Sequence, residues 1–305
     1  MPAPDPAPKQ PEAAAEPLPD WRPMWDFGDA AGTEARFREV LPRARASGDR
    51  AYTAILLTQL ARTQGLQRRF GDAHAILDEV ETMLPGASPE VQVRYLLERG
   101  RALNSGGRAA ESLPLFEQAL AVGSEAGLDV LAVDAAHMLA IAAPSDQQLG
   151  WSEKAMAMCE ASTDPRCKGW LGPLYNNTGW TYHDLGQYDK ALELWEKGLE
   201  LRRANGAPEP IAIARWTVAR AWRSLGRCEE ALAEQRAIAA YRAETELPES
   251  GYVAEEIAEC LLALGREDEA RPYFRRAYEL LDANEAWMKD EEPERLERLK
   301  RLGGS

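Results

Sequence analysis

The chain has 305 residues, 45% of them apolar, so a sizeable core is within reach, and length alone suggests two domains unless the sequence repeats itself. A formal net charge of −14 repels phosphate and argues against nucleic acid or an anionic membrane surface as partner. No run of eighteen apolar residues occurs, so no segment is expected to span a bilayer.

Residues 1–20 carry Pro2, Pro4, Pro6, Pro8, Pro11, Pro17 and Pro19 among alanines and acids. Such a stretch cannot bury enough to order itself and reads as a tail of polyproline character. It has neither a basic start nor an apolar stretch, so a secretory signal is not expected. Residues 21–48 read as an N-terminal capping element. Trp21, Trp25 and Phe27 are expected to fold back over a first helix, with Glu34–Ser47 as an unpaired half-repeat. From Glu34 onward the periodicity is helical and strand alternation is almost absent.

Residues 49–284 repeat one unit. Its clearest copy, Asn176–Leu201, is two short helical patterns around Gly186. The first carries Tyr175, Thr178, Gly179 and Tyr182 on one face; the second carries Ala191, Trp195 and Gly198. The same spacing returns as Val218, Ala219, Trp222, Gly226, Ala231 and Ile238, and as Ile257, Ala258, Leu261, Gly265, Ala270 and Phe274. Upstream it occurs as Leu96, Gly100, Leu103, Gly107, Ser112 and Phe116, and as Leu57, Leu60, Ala61, Ala73, Leu77 and Val80. A stretched copy at 134–162 reads as having a longer loop over Pro144–Gly150. Small residues such as Gly179 and Ala191 let paired helices approach closely, and aromatics such as Phe116, Trp195 and Phe274 are expected to wedge between neighbouring hairpins. Each hairpin is weak alone because its core is shared with the next. Residues 285–305, with Leu296, Leu299 and Leu302 among many charges, read as a charged C-terminal capping helix.

This pattern resembles the tetratricopeptide repeat family over roughly residues 50–283. The small residues of successive second helices, Ala73, Ser112, Ala155, Ala191, Ala231 and Ala270, lie 39, 43, 36, 40 and 39 apart. That exceeds the usual period of about 34, so the resemblance is to long-period arrays of about 40 residues. It implies an all-α, right-handed superhelical solenoid of about six stacked antiparallel helix hairpins, with no enzymatic activity and no cofactor.

In this family the first helices line a concave face that takes peptide segments. Carried over by position, the lining would be Asp134 and His137, then Asn176, Asn177, Trp180, His183 and Asp184. Trp216, Thr217, Arg220 and Arg223 follow, then Tyr252, Glu255, Glu256 and Glu259. Trp180 and Trp216 suit apolar anchors, although both could instead pack on neighbouring first helices. Arg220 and Arg223 suit an anion clamp, but the acidic row Glu255, Glu256 and Glu259 favours internal pairing. Asn177 stands where many family members hold a peptide backbone. The chaperone-tail variety is not matched: its five positions here hold His137, Ile141, Asn177, Ile213 and Thr217, and only the asparagine agrees.

Nothing in the sequence calls for catalysis. His74, His137 and His183 show no metal-ligand spacing, and no HExxH, GxSxG, P-loop or GxGxxG occurs. His183 and Asp184 are adjacent on a helix and diverge by about 100°, which does not make an oriented acid–base pair. Cys159, Cys167, Cys228 and Cys260 lack a CxxC and suit reduced cytoplasmic thiols; Cys159 and Cys167 are near enough in sequence to bridge. The expectation is a cytoplasmic scaffold binding a protein or peptide partner. Its alternatives are a ligand-responsive regulator acting through solenoid curvature and a self-associating adaptor, for instance a homodimer. The Ala, Arg and Gly usage suits a GC-rich bacterial source.

Overall fold

A computed structural model describes residues 16–304. The disorder expected for residues 1–15 falls outside the described residues. All regular structure among the described residues is helical. The chain divides into two compact units, Met1–Trp151 and Ser152–Ser305.

The first unit opens with a 3-10 turn at Arg22–Met24 and continues as α1 (Ala30–Ser47), α2 (Arg50–Leu66), α3 (Phe70–Glu81), α4 (Pro89–Ser105), α5 (Ala109–Glu125) and α6 (Asp129–Ala142). α2 packs on α1, α3 and α4, and α5 packs on α4 and α6, so consecutive hairpins share their buried faces. Trp25 does fold back: it meets Phe37 of α1 edge-on at 5.5 Å, and its indole N–H donates to Gln59 Oε1 at 3.0 Å. Residues 16–20, assigned to the tail by their proline content, are docked instead. Tyr52 Oη donates to Pro19 O at 2.7 Å and Arg43 Nη2 to Pro17 O at 3.1 Å. A proline-rich strand needs no internal hydrogen bonds, so its carbonyls are free to take these donors.

α7 (Ser145–Ala161) crosses the boundary between the units. Pro144–Gly150 is therefore not a loop. Ala143 and Pro144 alone connect α6 to α7, and Ser145 and Asp146 follow the proline as a helix start rather than a turn.

The second unit contains α8 (Lys168–Asp184), α9 (Tyr188–Asn205), α10 (Pro208–Ser224), α11 (Cys228–Glu244), α12 (Gly251–Ala263), α13 (Glu267–Asn284), α14 (Met288–Glu291) and α15 (Pro293–Gly303). The hairpins α8/α9, α10/α11 and α12/α13 stack in order, and α15 packs on α13. Ala191, Ala231 and Ala270 of the second helices are buried to within 1% of completely. The terminal element is not one helix, because Pro293 has no N–H to continue α14 and begins α15 instead. Met288, Leu296 and Leu299 seal the end of the core, and the charges of α15 face outward or toward α12.

Sequence and backbone agree closely at the hairpin turns. After α8, Gly186 sits at φ +71°; its N–H donates to His183 O, and the N–H of Gln187 donates to Tyr182 O at 2.8 Å. This pair of reversed bonds satisfies the last carbonyls of the helix. The same arrangement recurs at Gly226 and Gly265, while after α2 the left-handed residue is Arg68 at φ +59°. Gly186→Ala is expected to cost about 1 kcal/mol, and Arg68→Gly to be neutral or slightly stabilising, in urea unfolding of the two variants. A costless Gly186→Ala would show that the turn adapts.

Candidate functional site

The site residues of the second unit come from α8, α10, α12 and α15. Pro208, with its fixed φ, starts α10, and Ser250 caps α12 by accepting the Val253 N–H. Both helices then present one face to a cleft of about 630 Å³. Trp180, Trp216 and Tyr252 form one wall, with ring centroids 6.0 Å apart for the two tryptophans and 6.2 Å for Trp216 and Tyr252. Trp195 of α9 supports Trp180 from behind, edge-on at 4.9 Å.

The other wall is a ladder of ion pairs. Arg220 and Arg223 both hold Glu256, at 2.9 Å and at 2.8 and 3.0 Å. Arg295 reaches across from α15 to Glu255 with bonds of 2.9 and 2.6 Å, and Arg298 grips Glu259. Burial pushes the Glu256 carboxyl above the ordinary carboxylate range, against the pull of Arg223. Arg220 and Arg223 are thus paired internally, as the acidic row favours, and are not the free clamp for a partner's acidic group that they were also expected to form; every guanidinium of the cleft is engaged. Glu255 and Glu256 line this cleft but are themselves buried beneath their arginines, and Thr217, also buried, lines a different cleft. Arg295 and Arg298 were not foreseen. Their only signal is an i,i+3 arginine pair in the last helix, to be matched with an acidic row about forty positions earlier.

The tryptophans differ in what their N–H groups do. Trp195 Nε1 donates to Asn176 O at 3.2 Å and Trp216 Nε1 to Tyr252 O at 3.1 Å. Trp180 Nε1 has no acceptor among the described residues, and its half-buried ring lines the cleft.

Asn176 and Asn177 lie elsewhere. They line a second cleft of about 350 Å³ formed by the N-terminal halves of α8 and α10 and by α9, together with Pro173, Arg202 and Ile213. His183 lines neither cleft. Its Nε2 is 2.8 Å from Ser224 Oγ, tying α8 to α10, and its ring is enclosed by Trp180, Tyr188 and Trp195. Asp184 is exposed, and its Oδ1 is 3.8 Å from His183 Nδ1: nearer than neighbours at 100° suggest, yet beyond hydrogen-bond reach. His137 belongs to the first unit, on α6, where burial lowers its pKa.

Burial pushes the Cys159 and Cys260 thiols up to about 12, so neither supplies a thiolate near neutral pH, and all four cysteines are free. Among the described residues no group of three His, Cys, Asp or Glu could hold a metal ion, and no helix is long and apolar enough to cross a membrane.

Comparison with known proteins agrees with the stacked hairpins. Tetratricopeptide-repeat models match residues 172–205 and 232–285. No curated protein matches the sequence significantly. Among solved structures, the apo form of RapI superposes with a TM-score of 0.71 at 11% identity, over 87% of this chain and 75% of RapI. BtubC from P. vanneervenii gives 0.56 at 16% identity, over 75% of this chain and 93% of its own. A tetratricopeptide repeat protein from Parabacteroides merdae gives 0.50 at 14% identity, covering 93% and 97%. Residues 172–205 and 232–285 thus match tetratricopeptide repeats, and the fold as a whole is similar to that of all-α solenoids built from such stacked hairpins.

Proposed function

We propose that the second unit is a non-enzymatic recognition module that takes a segment of a partner protein along the aromatic wall of α8, α10 and α12. The single observation that carries it is Trp180: a half-buried ring on a cleft wall whose N–H has no acceptor among the described residues. A partner segment satisfies it with a backbone carbonyl while apolar side chains cover Trp180, Trp216 and Tyr252. Because Arg220, Arg223, Arg295 and Arg298 are already paired, this wall selects for apolar contact and a carbonyl rather than for charge. Asn176 and Asn177, one turn earlier on α8, extend the track toward the second cleft.

A random-peptide display library, selected on the intact protein, tests this. Trp180→Ala is expected to weaken selected peptides by about thirtyfold, the loss typical of a buried tryptophan anchor. Trp180→Phe, which keeps a ring and removes the donor, should lose about tenfold. Equal binding by wild type and both variants, with unchanged circular dichroism, would remove Trp180 from the site. A wild type that selects no peptide would remove the function.

A further inference from the structure

Arginines in this acidic chain are nearly all matched. Among the described residues, those with no acidic or hydrogen-bonding partner are Arg50, Arg68, Arg202, Arg203 and Arg301. Four of the five are exposed, and only Arg202 is half-buried. A guanidinium partly withdrawn from water without a counter-charge is costly, so its retention calls for an explanation.

Its surroundings supply one. Arg202 lies in the last turn of α9 and lines the 350 Å³ cleft with Asn176, Asn177 and Ile213. Its guanidinium lies against Gly172 of α8, where an added Cβ would sit 3.3 Å from Nη2 and 3.4 Å from Cζ. Glycine there leaves room for the planar group to lie along the helix. Asn176 Nδ2 donates to Asn177 Oδ1 at 3.1 Å, so the second carboxamide still has its own N–H donors to offer. Apolar surface completes the cleft: Pro173, Pro210 and Ile213, the last 52% exposed.

We propose that this cleft is an anion subsite, in which Arg202 takes a carboxylate carried by the bound peptide segment, either an Asp or Glu side chain or a free C-terminus. The inference rests on the peptide-binding reading and adds the chemical class of the occupant. Charge complementarity argues for it: the aromatic cleft has no unpaired cation, whereas this one offers a fork of donors with carboxamides beside it. The arginine comes from a second helix of a hairpin rather than from the first-helix lining that the sequence reading carried over.

The same display selection decides the matter, with arms for carboxyl-terminal and internal acids. Wild type is expected to enrich peptides containing one acidic group beside apolar residues. Arg202→Gln should bind those peptides about tenfold to a hundredfold more weakly and lose the acidic preference, the effect of removing a charged hydrogen-bond partner. Arg202→Lys should keep the preference at reduced affinity. Amidated peptides distinguish a terminal carboxylate from a side chain, and either result supports the subsite. Peptides enriched without acids, or an Arg202→Gln profile identical to wild type, would overturn the subsite and leave the aromatic cleft standing. A lowered melting temperature with an unchanged profile would likewise overturn it, assigning Arg202 to the helix end alone. No selected peptide at all would instead sink the peptide-binding reading beneath it.

Discussion

Replacing Trp195 by Ala is expected to cost the second unit about 3–5 kcal/mol, the range for deleting a large buried ring. The ring is 2% exposed, lies against Gly179 across the α8/α9 hairpin, and its N–H closes on Asn176 O. A Cβ on Gly179 would sit 2.3 Å from Trp195 Nε1 and 2.7 Å from Cδ1, so Gly179→Ala must displace the indole. Two effects then compete. Alanine gains about 1 kcal/mol of helix propensity, and overpacking costs about 1–3 kcal/mol. With the lost hydrogen bond added, Gly179→Ala is expected to destabilise wild type by about 2 kcal/mol. In Trp195→Ala the obstacle is gone, and the same substitution should stabilise by about 1 kcal/mol. Hydrogen exchange of α8 and α9 amides in the four proteins of the cycle reads this locally, as a stacked array requires. A Gly179→Ala effect of the same sign in both backgrounds would mean that the glycine is not there for the ring.

That pair also shows how far sequence reasoning reaches. The spacing of Gly179, Ala191 and Trp195 is local, so it was legible, as were the turn glycines and the buried alanines. The placement of the ring was not. Trp195 was expected between neighbouring hairpins, yet it fills its own hairpin and braces Trp180, because the missing Cβ of Gly179 is the space nearest to it. Pro144–Gly150 read as a loop because proline, serine, aspartate and glycine cluster there, and the same residues begin α7. The candidate residues proved to belong to different surroundings: Trp180, Trp216, Arg220 and Arg223 line one cleft, Asn176 and Asn177 another, and His183 bridges two helices. Helical periodicity assigns a face, but neighbouring helices decide which part of that face stays open. Arg295 and Arg298 depend on how the chain end folds back, and Arg202 stands out only once the paired arginines and the fully exposed ones are set aside.

Lowering the pH is expected to remove about 3 kcal/mol from the first unit through one carboxylate, Glu34. This side chain is 12% exposed and accepts from Arg38 Nε at 2.6 Å, from Gln67 Nε2 at 2.9 Å, and from Arg69. Burial alone would push its carboxyl up, but the donors Gln67 and Arg38 outweigh burial and hold it at about 2, against an ordinary 4.5. The folded state therefore favours the carboxylate, and the unfolded chain binds the proton more readily. It follows that the stabilisation is fully present above about pH 5 and is lost as pH falls from 4.5 toward 2. The two pKa values differ by an amount worth about 3 kcal/mol at neutral pH. Glu34→Gln should lose most of this at pH 7, and since Arg38 and Arg69 are 53% and 44% exposed they rehydrate at little further cost. Other carboxylates also titrate in this range, so the informative quantity is the difference between wild type and Glu34→Gln in urea unfolding from pH 7 to pH 2. It should shrink toward zero at the acid end. Parallel curves would show that the three donors do not favour the charged form, and that α1 is held to the end of the array by its apolar face alone.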